Sequence, residues 1–290
     1  TFNLKEPFKG LFTQGMVCHQ TYKDKDNKWL NPEEVFSENG KDYFIKDNPK
    51  EIVKVGPSES MSKSKKNTID PEKMIAEYGA DSVRFFILSD SPPEKDIQWS
   101  DSGMNSSFKY IQKFWLLNEK ICLVLKDKEV SPSEDIDLFV NQAIKKINFA
   151  LEKFRYNVII AIFHEIYSFF TKNLDKNLNY LNIKENYKKI LITMLPVIPH
   201  IANECLEKIN EKKDIKWPIV NDKFIKNDKS NVVIQVNGKK RAVVSVEKGL
   251  DEKKILEQVK HDKLIDKYIE GKDIFKTIYV QDKILNLIIK

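Results

Sequence analysis

The chain has 290 residues, 41% of them hydrophobic and 32% charged. That is enough apolar matter for packed cores and excludes a disordered tail. No apolar run approaches the ~20 residues that a spanning helix needs, and a net charge of +6 is too small to dictate a polyanion partner by itself. Cys18, Cys122 and Cys205 include no C-x-x-C pair, so neither a disulfide framework nor a zinc knuckle is expected and a reducing cytoplasm is the natural home. The first residue is Thr, and no basic stretch followed by an apolar one opens the chain. No signal peptide is therefore expected, and a start on residues that read as mid-domain points to a chain cut from something longer. The charge is −2 over residues 1–100, +4 over 101–227 and +4 over 228–290.

In chain order, Leu11–Val17 reads as a strand leading to a turn at Gly15. The polar stretch from His19 to Pro57 carries short β-like pieces at Asp42–Ile45 and Ile52–Val55, with Asn-Gly at 39–40, and reads as a β-ribbon insertion. A helix start follows the loop 60–67: Asp70 is placed to cap, Pro71 sits at the first helical position and Gly79 closes the turn. A second helix is expected from about Asp81 to Leu88, stopped by Pro92-Pro93. The middle of the chain is helical. Val140, Ile144, Ile147, Leu151 and Phe154 share one face, and Tyr156, Ile159, Ile160, Phe163, Ile166, Tyr167 and Phe170 share another. With Phe108–Leu125, Tyr187–Met194 and Ile201–Ile209, four or five helices predict a bundle. After the polar stretch 221–230, Val232–Val236 and Arg241–Val246 flank the Asn237-Gly238 turn as a hairpin. Helices marked by Ile255, Leu256 and Val259 and by Leu264, Ile265, Tyr268 and Ile269, then strands Ile274–Val280 and Ile284–Ile289, complete a small α+β domain.

Met61-Ser62-Lys63-Ser64 is the sharpest local feature. Hydroxyls and loop amides donate to phosphate oxygens, and a lysine places a mobile charge on them. On their own these four residues read as a solvated basic loop or a phosphorylation site. Asp81 and Arg84, three apart on a helix, read as an ion pair. Trp99 and Trp115 read as core or interface residues, with base-stacking platforms as the alternative, and His200 as packing near a helix start. No carboxylate pair, nucleophilic Ser–His set or metal-ligand spacing stands out. Lys239-Lys240-Arg241 follow the hairpin turn either as an exposed charged edge or as a polyanion contact. Strand alternation puts Lys239 and Arg241 on one face and Lys240 on the apolar face of Ala242, Val244 and Val246.

Taken together and in order, these pieces resemble the class I aminoacyl-tRNA synthetases, whose second ATP motif is Lys-Met-Ser-Lys-Ser, and most of all the bacterial leucyl-tRNA synthetases. The resemblance runs through Glu6-Pro-Phe-Lys, Leu11-Phe-Thr-Gln-Gly-Met-Val17, Met61–Asn67, Asp70-Pro71, Tyr78-Gly-Ala-Asp-Ser-Val-Arg84, Ser91-Pro-Pro and Trp99-Ser-Asp-Ser-Gly103. It continues through Leu195-Pro-Val-Ile-Pro-His-Ile-Ala202, Trp217-Pro218 and Gln235–Arg241. Ser60 stands where the motif has its first lysine, and the four histidines are isolated, so the His-Ile-Gly-His motif is absent. The resemblance implies a C-terminal fragment. Its fold class would be multidomain α/β plus α: the remnant of a Rossmann-type catalytic domain over 1–100 with its insertion at about 19–57, a helical anticodon-binding bundle over 101–222, and a small α+β tRNA-binding domain over 228–290.

The implied function is leucine–tRNA ligation: ATP and leucine give leucyl-adenylate, and the leucyl group then passes to tRNA(Leu). ATP would be bound by Met61, Ser62, Lys63 and Ser64, with Lys63 catalytic. Arg84, Lys239 and Arg241 would contact tRNA. Mg²⁺ would arrive with ATP and no metal would be held by the protein. A monomer without membrane attachment, inactive as an isolated fragment, is expected. A valyl-, isoleucyl- or methionyl-type relative and a non-catalytic tRNA-binding module are the alternatives.

Overall fold

The computed structural model describes residue 6 and residues 8–174, 179–213, 215–225, 229–247, 249–260 and 263–289. Pro7, His261 and residues 226–228 of the polar stretch before the hairpin lie outside them. The chain forms two compact units, Thr1–Val220 and Asn221–Lys290.

The first unit begins with β1 (Val17–Lys23), β2 (Trp29–Leu30), β3 (Val35–Phe36), β4 (Phe44–Ile45), β5 (Asn48–Ile52) and β6 (Lys54–Ser60). β1 lies between β2 and β6 as an antiparallel set, and β3, β4 and β5 form a separate small sheet. Tyr22, Leu30, Val35 and Val53 make a small core beneath them. β1 and β6 run through both edges of the expected 19–57 segment. The strand expected over Leu11–Val17 is absent: β1 starts only at Val17, and Leu11 is 92% exposed. No strand among the described residues offers residues 11–15 a ladder, and an unpaired strand in water has little to hold it. Gly15 keeps its part in the turn. Its N–H donates to Pro93 O at 2.8 Å, and a Cβ there would lie 2.2 Å from the Lys95 carbonyl.

α1 (Pro71–Tyr78) follows, with Asp70 accepting from Glu72 N–H, Pro71 at its first position and Gly79 at its end with φ +80°. α2 (Ala80–Ser89) leads to β7 (Ile97–Gln98), which pairs parallel with β1 at Val17 and Cys18. The bundle is α3 (Asp101–Val124), α4 (Glu134–Glu152), α5 (Tyr156–Leu174), α6 (Ile183–Met194) and α7 (Pro199–Lys208). Phe114, Ile144, Ile147, Phe163, Ile166 and Tyr187 are fully buried in its core. Leu151 is only half-buried and Phe154 is 45% exposed. The reason is local. Phe154 adopts φ +53°, a left-handed backbone that ends the helical phase, and its ring stacks on Phe12 at 4.7 Å instead.

The second unit holds β8 (Lys229–Val236), β9 (Lys239–Glu247), α8 (Glu252–Lys260), α9 (Lys263–Ile269), β10 (Ile274–Val280) and β11 (Ile284–Ile289). The sheet order is β10-β11-β8-β9, with β11 parallel to β8. The Asn237-Gly238 turn has φ of +49° and +76°, the positive pair that a two-residue type I′ hairpin requires. Val232, Ile234, Ala242, Leu285 and Leu287 pack against Ile255, Val259 and Ile265. Among the described residues no helix is long and apolar enough to cross a membrane, and the three cysteines are free thiols.

Candidate nucleotide and nucleic-acid sites

The loop after β6 is tied down at both ends. Met61 N–H donates to Val17 O at 3.1 Å, and the Met61 side chain lines an apolar cavity of about 470 Å³ shared with Val17, Ile87, Pro93 and Ile97. At the other end Asn67 is fully buried. Its Oδ1 accepts from Ser62 N–H at 2.8 Å, and its Nδ2 donates to His19 O at 3.2 Å and Glu59 O at 3.1 Å. One amide thus joins the loop to β1 and β6. Between these anchors Lys63–Lys65 form a single 3₁₀ turn capped by Ser62 Oγ, which accepts from Lys65 N–H at 3.4 Å. Ser62 Oγ lies 3.2 Å from Ser64 Oγ.

The lysines of this loop differ in what they meet. Lys65 Nζ is ion-paired with Glu59, and Lys66 sits in the left-handed backbone that closes the turn. Lys63 is exposed and, among the described residues, meets no carboxylate. The backbone amides of Lys63 and Ser64 have no acceptor there either. Two N–H groups without an acceptor, two hydroxyls and an exposed ammonium thus lie on one short turn, and all are groups that can donate to an anion. Of the four residues expected to meet a phosphate, Ser62, Lys63 and Ser64 are together on this turn, whereas Met61 precedes it and lines the apolar cavity. Asn67 positions them; in the sequence it stands only as the last residue of the family-like stretch Met61–Asn67, with no role assigned to it.

Arg84 behaves differently. Its Nε donates to Val197 O at 2.9 Å and Nη2 to Pro196 O at 2.7 Å. The expected ion pair with Asp81 does not form. Asp81 is buried and accepts instead from Ile201 N–H at 2.7 Å and His200 N–H at 3.3 Å, capping α7 from α2. A carboxylate at two free helix-terminal amides gains more than it would from an exposed arginine. Guanidinium carries five donors, and those not used on the two carbonyls remain on an exposed side chain.

In the second unit the expected alternation breaks. Val236 pairs with Lys239, Gln235 with Lys240, and Ile234 with Ala242, so Arg241 is the extra residue of a β-bulge. Cross-strand partners share a face. Lys239 therefore belongs with Val236 on the helix-covered side, and Lys240 with Gln235 on the open side, the reverse of the sequence reading. Arg241 lies 4.3 Å over the Tyr268 ring of α9. All three basic residues are exposed.

Residues 50–100 match the family model of class I tRNA synthetases (I, L, M and V), and residues 134–256 match the anticodon-binding domain of tRNA ligase. The leucine–tRNA ligase of Rickettsia bellii (strain RML369-C) is 37% identical over 290 residues, covering 99% of this chain and 34% of that protein. That of Maricaulis maris (strain MCS10) is 36% identical, covering 98% of this chain and 34% of that protein. This chain is a homologue of the leucine–tRNA ligases. It spans about a third of the length of the curated relatives it matches. In fold it is similar to the LeuRS of Agrobacterium radiobacter K84 (agnB2), solved in a ternary complex with tRNA and LeuAMS. The TM-score is 0.59 at 23% identity, covering 80% of this chain and 32% of that one.

Proposed function

We propose that the chain supplies the ATP-loop and tRNA-binding portion of a leucine–tRNA ligase, which activates leucine with ATP and transfers it to tRNA(Leu). The observation that carries this reading is the turn Ser62–Lys65: it leaves the Lys63 ammonium and two amides free while pinning the flanking groups. In the first step the leucine carboxylate attacks the α-phosphorus of ATP, leucyl-adenylate forms and pyrophosphate leaves. Negative charge grows on the departing oxygens. Lys63 and the amides of Lys63 and Ser64 stabilise that charge electrostatically, and no proton need move. Ser62 and Ser64 orient the phosphates. No trio of His, Cys, Asp or Glu is gathered for a metal among the described residues, so Mg²⁺ would travel with the ATP phosphates.

The domain roles belong to the same reading. Residues 1–100 would complete a Rossmann-type catalytic fold with its insertion at about 19–57, residues 101–222 would dock on the anticodon stem, and residues 228–290 would hold the outer part of the tRNA. Arg84, Lys239 and Arg241 would meet backbone phosphates, and the protein would act as a cytoplasmic monomer.

The test is ATP–pyrophosphate exchange by the complete ligase. Lys63→Ala is expected to lower the rate on the order of 10²–10³-fold, as for a single oxyanion donor, with a smaller change in ATP affinity. Lys65→Ala, whose charge is already paired with Glu59, is expected to cost under about tenfold. A severe Lys65 effect beside a mild Lys63 effect would overturn the assignment.

A further inference from the structure

A second cavity, of about 670 Å³, opens further along β1. It lies between β1, the segment 32–43, and the junction of β7 with α3. Its volume falls in the range of ordinary small-molecule sites, and its lining is chemically specific. His19 is only 8% exposed yet lines it. The His19 Nδ1 lies 3.0 Å from Gln20 O. A carbonyl only accepts, so Nδ1 carries the proton and Nε2 presents a lone pair. No partner for Nε2 exists among the described residues. Burial holds the His19 pKa below its ordinary value, against smaller opposing effects of Gln20 O and Asp101, which favours the neutral ring.

Asp101, the first residue of α3, accepts from Trp99 Nε1 at 2.9 Å through Oδ1, and its other oxygen has no partner among the described residues. Gln98 adds an amide, and half-buried Trp99 and Tyr43 add aromatic surface.

These features select among ligands. A phosphate is disfavoured, because the Asp101 carboxylate already occupies the start of α3. A metal is disfavoured, because no ligand trio is present among the described residues. An apolar ligand would leave the buried imidazole nitrogen unsatisfied, which costs free energy. What fits is a flat ring whose edge donates to two acceptors and whose faces stack on aromatic side chains.

We propose that this cavity is a nucleobase pocket that takes a base with an exocyclic amino group: adenine, cytosine or guanine. The amino group donates to His19 Nε2 and Asp101, and the base stacks against Trp99 and Tyr43. Uracil has no amino group and offers a single N3–H between two carbonyl oxygens, so it satisfies at most one of the two acceptors and binds more weakly. This inference stands on the cavity alone, independently of any role of Lys63. It is read by binding without turnover, so the failure of either leaves the other standing.

The experiment titrates the 290-residue chain with fluorescein-labelled 5′-ACCA and 5′-UUUU, reading anisotropy, and with AMP and UMP by calorimetry. ACCA is expected to bind at least about tenfold tighter than UUUU, the discrimination expected of one well-placed base-edge contact pair. Asp101→Asn and His19→Phe are each expected to reduce that ratio below about twofold while circular dichroism keeps the helical signal. Tyr43→Ala is expected to weaken ACCA by loss of stacking. A strand at least tenfold tighter than AMP identifies the base as part of single-stranded RNA. Equal affinity identifies a free nucleotide, and both results uphold the pocket. Equal binding of ACCA and UUUU, or a preference that survives both variants, overturns it.

Discussion

Asn67 shows how much one buried amide can hold. Its three shortest hydrogen bonds reach the loop, β1 and β6. Removing the amide strands Ser62 N–H and two carbonyls in a closed environment, and each unsatisfied buried group costs about 1–3 kcal/mol. Asn67→Ala is therefore expected to lower stability by about 2–4 kcal/mol in urea titrations. In the complete ligase it is also expected to slow pyrophosphate exchange on the order of tenfold, because a misplaced Lys63 loses transition-state contact. Asn67→Asp is the sharper variant: it keeps the acceptor for Ser62 N–H and loses the donors to His19 O and Glu59 O. Cys205 offers a pH-dependent test at the same scale. Burial is the main cause that pushes its thiol from 9.0 to about 12, and the Tyr187 hydroxyl opposes the shift. A raised thiol pKa means that the unfolded chain gives up its proton first. Stability is complete below pH 9 and falls as pH rises from 9 towards 12. Between pH 8 and pH 10 the loss from this group is expected to be about 1–1.5 kcal/mol, from ~1.4 kcal/mol per pH unit. Urea midpoints at both pH values check it, with Cys205→Ala as the variant in which this part of the loss vanishes.

Between elements, the contact that joins α2 to α7 is a cap supplied from elsewhere in the chain. Asp81 takes the amides of His200 and Ile201, and Arg84 takes the carbonyls of Pro196 and Val197. Asp81→Ala is expected to destabilise the first unit by about 1–2 kcal/mol, as for loss of a good N-cap, read as a lower thermal midpoint. Sequence reasoning found the local version of this device and missed the distant one. Asp70, Pro71 and Gly79 are legible because cap, first-turn proline and terminal glycine all lie within ten residues. Asp81 and Arg84 sit three apart, so the local ion-pair rule claimed them, and nothing near them announces partners more than a hundred residues away. The Arg241 bulge was equally hidden. Alternation assumes one residue opposite one residue, and the extra residue is visible only in the pairing of β8 with β9. The Lys63 turn was legible as residues, whereas the cavity at His19 was not, because its lining comes from five separate stretches of chain.

At the scale of the whole molecule, the bundle is the stable mass and the two sheets of the first unit are lightly supported. The bundle core contains Phe114, Phe163, Phe170 and Tyr187, all essentially buried, whereas among the described residues the core beneath β1–β6 is made by Tyr22, Leu30, Val35 and Val53. Few buried contacts mean low local stability. Amides of residues 24–53 are expected to exchange with deuterium well before those of α3–α7, by mass spectrometry of timed aliquots. Uniform protection across both regions would contradict this. The basic edge of the second unit gives a prediction about tRNA. If Lys239 and Arg241 each neutralise a phosphate, removing both charges in the complete ligase flattens the salt dependence of tRNA binding by about 2. Tyr268→Ala, which takes away the ring beneath Arg241, is expected to weaken binding with little change in that slope.

The capping of α7 by α2 also has a place in time. The donors of the cap lie 119 and 120 residues beyond Asp81. At roughly 5–20 residues per second of synthesis, the carboxylate leaves the ribosome on the order of 10 s before its partners exist. Until then α2 carries an unanswered acidic group, and α7, once made, starts without a side-chain cap of its own. The closing of that contact is thus a late event, and it marks the moment at which the bundle has been read out to its last helix.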